Sequence, residues 1–496
     1  MMWGSKGILP PDTYGLLRTL CSRNLVERGR EDIMERKNAW NYYSTEERKR
    51  VEDISRAYCH FLDCSKTERE CTASAIRLAE SRGYKNLETI IETGGTLKSG
   101  DRIYACHMGK TVALFQIGAE PFEKGMNILG AHIDSPRIDI KQIPIYEEQG
   151  NVYMDTHYYG GVKKYQWLAL PLAIHGIIVR KDGTKAEIKL GEKERDPAFV
   201  ITDLLPHLGK EQNEQKVKDF INAEKMDLLV GNLPSASEKN EKEPEVVKKT
   251  VLKLLQEQYQ VGEEDFISAE LEIVPAGKAR DCGLDRSMIL GYGQDDRSCA
   301  FTSLLALLEV KMTKRTSCCV LVDKEEIGSV GATGMHSKFF ENTVAELLEL
   351  YGGYSALKLR RTMTNSNMLS SDVSAAYDPM FAEYYEKKNS AYLGNGLVFN
   401  KYSGSGGKSG ANDANAEYMA RLRQVMDKHK VVMQTAELGA VDKGGGGTIA
   451  YIMANYGMNV IDCGIPVLNM HAPWEVSSKA DIYEALKGYI AFLKEA

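Results

Sequence analysis

Apolar positions recur along this chain with two different periods, and the change of period divides it. Val51, Ile54, Tyr58, Phe61 and Leu62 stand at helical spacing and give one apolar face. Ser44 with Glu47, and Ser65 with Glu68, have the spacing of capping boxes, so the first hundred residues are predicted to be mainly helical. From about Gln142 to Ala279 the period falls to two. "IIVRKDGTKAEIKL" predicts a hairpin turning at Asp182-Gly183, and "ISAELEIVP" alternates Ile267, Ala269, Leu271 and Ile273 with polar neighbours, as a half-buried strand does. The charged segment Gly209 to Lys249 is predicted to hold exposed helices and a loop. On both sides of this block the pattern is apolar strand, polar turn and amphipathic helix, which predicts a mostly parallel sheet covered by helices. The expected organisation is an α/β domain over 1–140, opened by an N-terminal helical extension, and resumed over 281–496. A β-rich insertion fills 141–280.

Composition narrows the function classes. The chain has 496 residues and a formal net charge of -6, with no basic face to bind nucleic acid or anionic lipid. Ten cysteines form no CxxC pair, which points to a reducing cytoplasm rather than a disulfide framework. The start, "MMWGSKGILPPDTYG", lacks the features of an export signal, and the strongest apolar stretch, Trp167 to Val179, is broken by Pro171 and His175, so no membrane span is expected.

Five apolar runs end in groups able to bind metal. "MNILGAHIDSPR" carries His132 and Asp134, "MILGYGQDDRS" Asp295 and Asp296, and "SCCVLVDKEEIGS" Glu325 and Glu326; "NMLSSDVSAA" carries Asp372 and "VIDCGIPVLNMHAPWE" His471. In a parallel α/β sheet such strand ends converge on one crevice. Taken singly, Asp372 or Asp296 reads more readily as an N-cap, and a lone histidine as a hydrogen-bonded structural residue. Two adjacent carboxylates at one strand mouth are different, because they need a cation or a shared proton to coexist. Two metals about 3.5 to 4 Å apart require one carboxylate touching both, further histidine and carboxylate ligands, and a free carboxylate to move protons. Two histidines, three ligand carboxylates and one free carboxylate make that set. Asp134, in HxD spacing, supplies the acceptor that fixes a histidine tautomer.

In this order, the motifs "GAHIDSPR", "GQDDRS", "DKEEIGS", "SSDVSAA" and "MHAPWE" resemble the aspartyl aminopeptidase family of two-metal aminopeptidases, including its bacterial members. The resemblance implies a helix-covered mixed sheet of the zinc-peptidase type with an inserted β-rich dimerisation domain, and dimers assembled into a dodecamer. It assigns His132 and Asp372 to one metal ion, Glu326 and His471 to the other, and Asp295 to both, with Glu325 as general base and Asp296 as a supporting residue. It implies two divalent ions per subunit, zinc first, with cobalt or manganese also accommodated. The expected reaction removes the N-terminal residue of peptides through a metal-bound hydroxide. His207, in "LLPHLGK", matches a motif whose histidine reaches a neighbouring subunit's active site.

One departure bears on substrate. Where aspartyl-selective members place a histidine three residues after the "SxD" aspartate, this chain has Ala375, which points away from acidic selectivity. Lys401, Lys408, Lys443 and Thr448, in glycine-rich loops, are candidates for contacting substrate. "KYSGSGGKSGAND" resembles a phosphate loop but fails it, since Tyr402 stands where glycine is required. A two-metal hydrolase of another bond, an amide deacylase or phosphodiesterase, is the nearest alternative; a nucleotide-dependent assembly protein is a more distant one.

Overall fold

Ser44 caps the start of its helix as its spacing predicts. In the computed structural model, which describes residues 37–234 and 245–496, Ser44 Oγ accepts from Glu47 N at 3.2 Å and Glu47 Oε2 accepts from Ser44 N at 2.8 Å, starting helix Thr45–Cys64. The expected N-terminal extension ahead of residue 37 lies outside the described residues. The second capping box is not formed at Ser65 and Glu68. Helix Glu68–Ser81 is capped by Thr67, which accepts from Glu70 N at 3.2 Å, while Ser65 ends the preceding helix and donates to Ser74 Oγ at 3.1 Å.

A nine-stranded sheet forms the centre of the α/β unit. Strands Thr316–Val322, Met126–His132, Asn367–Ser370 and Asn459–Gly464 run parallel at its middle, and antiparallel neighbours Thr111–Gln116 and Leu397–Asn400 flank them, so the sheet is mixed. All seven side chains of Thr316–Val322 are buried because both sheet faces are covered. Cys319 and Leu321 pack on the face covered by helices Thr45–Cys64, Gln294–Glu309 and Lys479–Glu495; Cys318, Val320 and Val322 pack on the face covered by Phe339–Gly352 and Ala356–Thr364. Truncating Leu321 to alanine in such a core costs about 3 kcal/mol. Register sets the ends of these strands together, with Val322 opposite His132 and Ser370 opposite Gly130.

The insertion folds into a seven-stranded, wholly antiparallel sheet with its own core. Its strands run from Arg137–Glu148 to Ala269–Pro275. The hairpin turn forms at Asp182-Gly183, with Gly183 at φ 86° and Arg180 N donating to Thr184 O at 2.8 Å. Two details differ from expectation. Ile267 is 65% exposed in a 3-10 turn, and the strand begins at Ala269. Within the charged 209–249 segment, Leu228–Gly231 is a strand, too short to show a period.

A third, five-stranded sheet joins Arg280–Cys282, Met288–Gly291, Glu475–Ser478, Pro466–Leu468 and Ser374–Ala375. It corrects the expectation that all five segments leave one parallel sheet: those bearing Asp295 and His471 hang from this sheet, not from the parallel strands. Among the described residues no helix is long and apolar enough to cross a membrane.

Candidate metal centre

His132 ends its strand, and Glu325 and Glu326 follow theirs after a turn in which Lys324 adopts φ 69°, so both glutamates lie in the 3-10 turn Glu325–Ile327 rather than on the strand. That turn is what lets two neighbours face one place instead of opposite faces. Asp372 lies just beyond Asn367–Ser370, seated on Gly464, where a Cβ would fall 1.9 Å from Asp372 O. Asp295 and Asp296 open helix Gln294–Glu309 with non-helical ψ of 105° and 26°, joined by a cis peptide bond. His471 follows Pro466–Leu468 at φ 66°.

The structure brings these side chains together. Asp295 lies between the histidines: Oδ1 is 3.1 Å from His132 Nε2, and Oδ2 is 3.2 Å from His471 Nε2. His471 Nε2 is 3.5 Å from Glu326 Oε2. His132 Nε2 is 3.9 Å from Asp372 Oδ1 and 3.8 Å from Glu325 Oε2, so Glu325 stands as near to His132 as Asp372 does. His132, Asp295 and Glu326 offer ligand atoms within 4.8 Å of one another, as do His132, Glu325 and Asp372.

Charge in this space is unbalanced without a cation. Glu326 Oε1 and Asp296 Oδ1 are buried with no hydrogen-bond partner. Burial pushes Glu325 up to about 7, His132 opposing and Asp134 and Asp295 adding to the rise, and drives Glu326 and Asp372 well above the ordinary carboxylate range. Burial would raise Asp295 too, but hydrogen bonds from His132 and His471 hold it below its usual value. For His471 burial acts downward, and Asp295 overcomes it, raising the imidazole to about 10. The protons so retained are those that divalent ions displace when they bind such a set. Imidazole and carboxylate donors at a common focus fit zinc.

Two buried carboxylates support the cluster. Asp134 Oδ1 lies 3.3 Å from His132 Nδ1 and accepts Glu325 N at 3.1 Å; Oδ2 accepts Glu326 N at 3.2 Å and the Tyr159 hydroxyl at 2.8 Å. Glu475 accepts His471 N at 2.9 Å and Asp295 N at 3.2 Å. Sequence reasoning found Asp134 and missed Glu475 and Tyr159. Glu475 ends the motif "MHAPWE", so a signal was present; Tyr159 has none.

A cavity of about 510 Å³ opens over the cluster, lined by Asp295, Glu325, Asp372 and His471 and, on its far wall, by Thr448 and Asp462. Thr448 donates its hydroxyl to Asp462 Oδ1 at 2.6 Å. The other candidates for substrate contact are not brought there. His207 is exposed in the turn Pro206–Leu208; Lys401 and Lys408 both pair with Asp413 at 3.1 Å, and Lys443 Nζ donates to Glu383 O at 2.9 Å. Asp413 thus takes up the cationic groups that a phosphate loop would offer. Among the described residues neither lysine nor arginine lines this cavity, so it lacks the clamp a phosphodiester would want. A larger cleft of about 950 Å³ lies at the sheet edge beside Arg82 and Arg102 and holds no candidate ligand; the donor set, not size, identifies the site.

Known proteins resemble this chain over most of its length. The aminopeptidase I zinc metalloprotease (M18) family matches residues 61–493. A probable M18 family aminopeptidase 1 from Clostridium acetobutylicum is 58% identical over 461 residues, 93% of this chain and 98% of that protein. The crystal structure of an M18 aminopeptidase from Thermotoga maritima has a TM-score of 0.88 at 41% identity, covering 93% of this chain and 100% of that one. A subunit of the S. cerevisiae mApe1 dodecamer, at 21% identity, TM-score 0.72 and coverage of 89% and 96%, shares the fold.

Proposed function

The chain belongs to the M18 family of zinc metalloproteases, and from that premise we propose how its own residues divide the work of an aminopeptidase. The activity is hydrolysis by a zinc metalloaminopeptidase; the assignment of residues is our reading. The observation that carries it is Asp295, whose two oxygens face the two histidines separately, as a ligand shared by two ions must. His132 and Asp372 would hold one ion, Glu326 and His471 the other. Zinc is the expected metal, and cobalt or manganese suits the same donors. When bound, zinc acidifies water and polarises the scissile carbonyl.

Glu325 Oε2 takes the proton from the attacking water and returns it to the leaving amine. Its backbone is fixed by Asp134, it borders the cavity, and burial places its pKa near neutrality, where a general base works best. Asp134 holds the His132 ring, its main-chain carbonyl oxygen accepting from Nδ1 at 3.0 Å. The substrate is a peptide whose first residue enters the cavity, with a neutral side chain favoured by the missing cationic lining. The test is Glu325→Gln: zinc content should match the parent while kcat falls by about 10²- to 10⁴-fold. A folded, zinc-loaded variant with full activity overturns the assignment. Glu326→Gln should fail differently, by losing metal.

We also infer a homo-oligomer. Leu204, Leu205, Leu208 and Val217 of the insertion are 45%, 49%, 66% and 66% exposed, apolar side chains that a neighbouring subunit would cover. A dodecamer would weigh twelve times 55.3 kDa by light scattering, and a monomeric mass rejects it. His207, exposed in that same segment, is then the candidate to reach a neighbouring site. A cytoplasmic location suits the nine cysteines among the described residues, all of them free.

A further inference from the structure

The insertion does more than present an outer surface: its strand Asn151–Tyr159 ends against the metal centre of its own chain. Tyr159 donates its hydroxyl to Asp134 Oδ2 at 2.8 Å. Its ring cannot slide away, because the Arg137 guanidinium lies 3.8 Å from the ring centroid and is itself tied to Asp139 at 2.7 Å and Glu272 at 3.2 Å, all within the inserted sheet. The next two residues touch the other half of the centre. Gly160, at φ 74°, lies so close to Glu326 that a Cβ would stand 3.3 Å from Glu326 Cβ. Gly161 offers its carbonyl oxygen to His471 Nδ1 at 3.1 Å, so Nδ1 carries a proton and Nε2 is the nitrogen turned towards Asp295. A Cβ on Gly161 would fall 3.0 Å from that same Nδ1.

We propose that Tyr159, Gly160 and Gly161 are positioning residues through which the inserted sheet orients both halves of the metal centre within one subunit. Tyr159 fixes the carboxylate on which the backbone of Glu325 and Glu326 rests and which lies 3.3 Å from His132 Nδ1; Gly161 fixes the tautomer and ring plane of His471. The proposal rests on the reading of these residues as zinc ligands. It gives the insertion a role in catalysis that is independent of any second copy of the chain.

Two substitutions in the full-length, zinc-loaded protein test it. Tyr159→Phe keeps the ring over Arg137 and removes only the hydroxyl. Its melting temperature and zinc content should match the parent and KM should stay within about twofold, while kcat falls about 10- to 100-fold. Gly161→Ala should weaken zinc about 10- to 100-fold in chelator competition and alter the visible absorption of the cobalt-substituted protein. Parental kcat in Tyr159→Phe, or a loss confined to KM, overturns the Tyr159 half. Parental zinc affinity with an unchanged cobalt spectrum in Gly161→Ala overturns the Gly161 half. If the parent itself fails to cleave aminoacyl substrates, the aminopeptidase reading falls, and the chelator and cobalt measurements still decide the positioning role.

Discussion

Asp134 and Glu475 approach the metal centre from opposite sheets, and each accepts two backbone N–H groups, yet they are compensated differently. Asp134 also faces the His132 imidazole and the Tyr159 hydroxyl, with Arg137 behind that ring, and these hold its carboxyl below the ordinary range although burial pushes it up. Glu475 has hydrogen bonds only from the amides of His471 and Asp295, and burial together with Asp295 pushes it up to about 8 against the opposing His471 imidazole. A buried carboxylate paired with cations and donors acts through its charge, whereas one surrounded by amides acts through its shape and acceptor atoms.

That difference ranks the substitutions. Asp134→Asn turns an acceptor into an N–H₂ group facing other donors and removes the charge beside His132, so kcat/KM should fall by about 100-fold in the folded protein. Glu475→Gln keeps the shape and one acceptor, and a loss of about tenfold is expected. Equal losses in steady-state kinetics would break the comparison. The remaining effect is on stability rather than rate and lies away from the metals, at Glu70, whose carboxylate is 2.9 Å from His175 Nδ1. Burial would raise Glu70, but His175 holds it down at about 2. Because the folded value is depressed, the stabilisation is complete above the ordinary value near 4.5 and is lost as the pH falls towards 2. Denaturant melts of Glu70→Gln against the parent should show a gap of about 2 kcal/mol at pH 6 that narrows below pH 4.5. A gap independent of pH would assign Glu70 to packing alone.

Much of the metal centre was legible because every proposed ligand stands where an apolar run stops, and a buried charge is informative only in such a place. The supports were less legible for a physical reason. Accepting a backbone N–H imposes no sequence spacing, so Glu475 passed unnoticed four residues after His471. Tyr159 alternates within its strand like any packing residue. Nor does an apolar run reveal its partner: Met288–Gly291 reads like a parallel core strand but pairs antiparallel with Glu475–Ser478. The misplaced capping box has a local cause, since Ser65 to Glu68 and Thr67 to Glu70 share the same spacing and only the start of the helix decides between them.

The pairing of Met288–Gly291 with Glu475–Ser478 also sets an order of events during synthesis. Asp295 leaves the ribosome long before the strand whose Glu475 holds its backbone, and His471 arrives with that strand. A chain released early therefore carries His132, the two glutamates and Asp372 but neither the second histidine nor the support for the shared aspartate. On the proposed ligand assignment, zinc uptake at full strength would wait for the last stretch of translation, and truncated products would have no complete site with which to cut peptides.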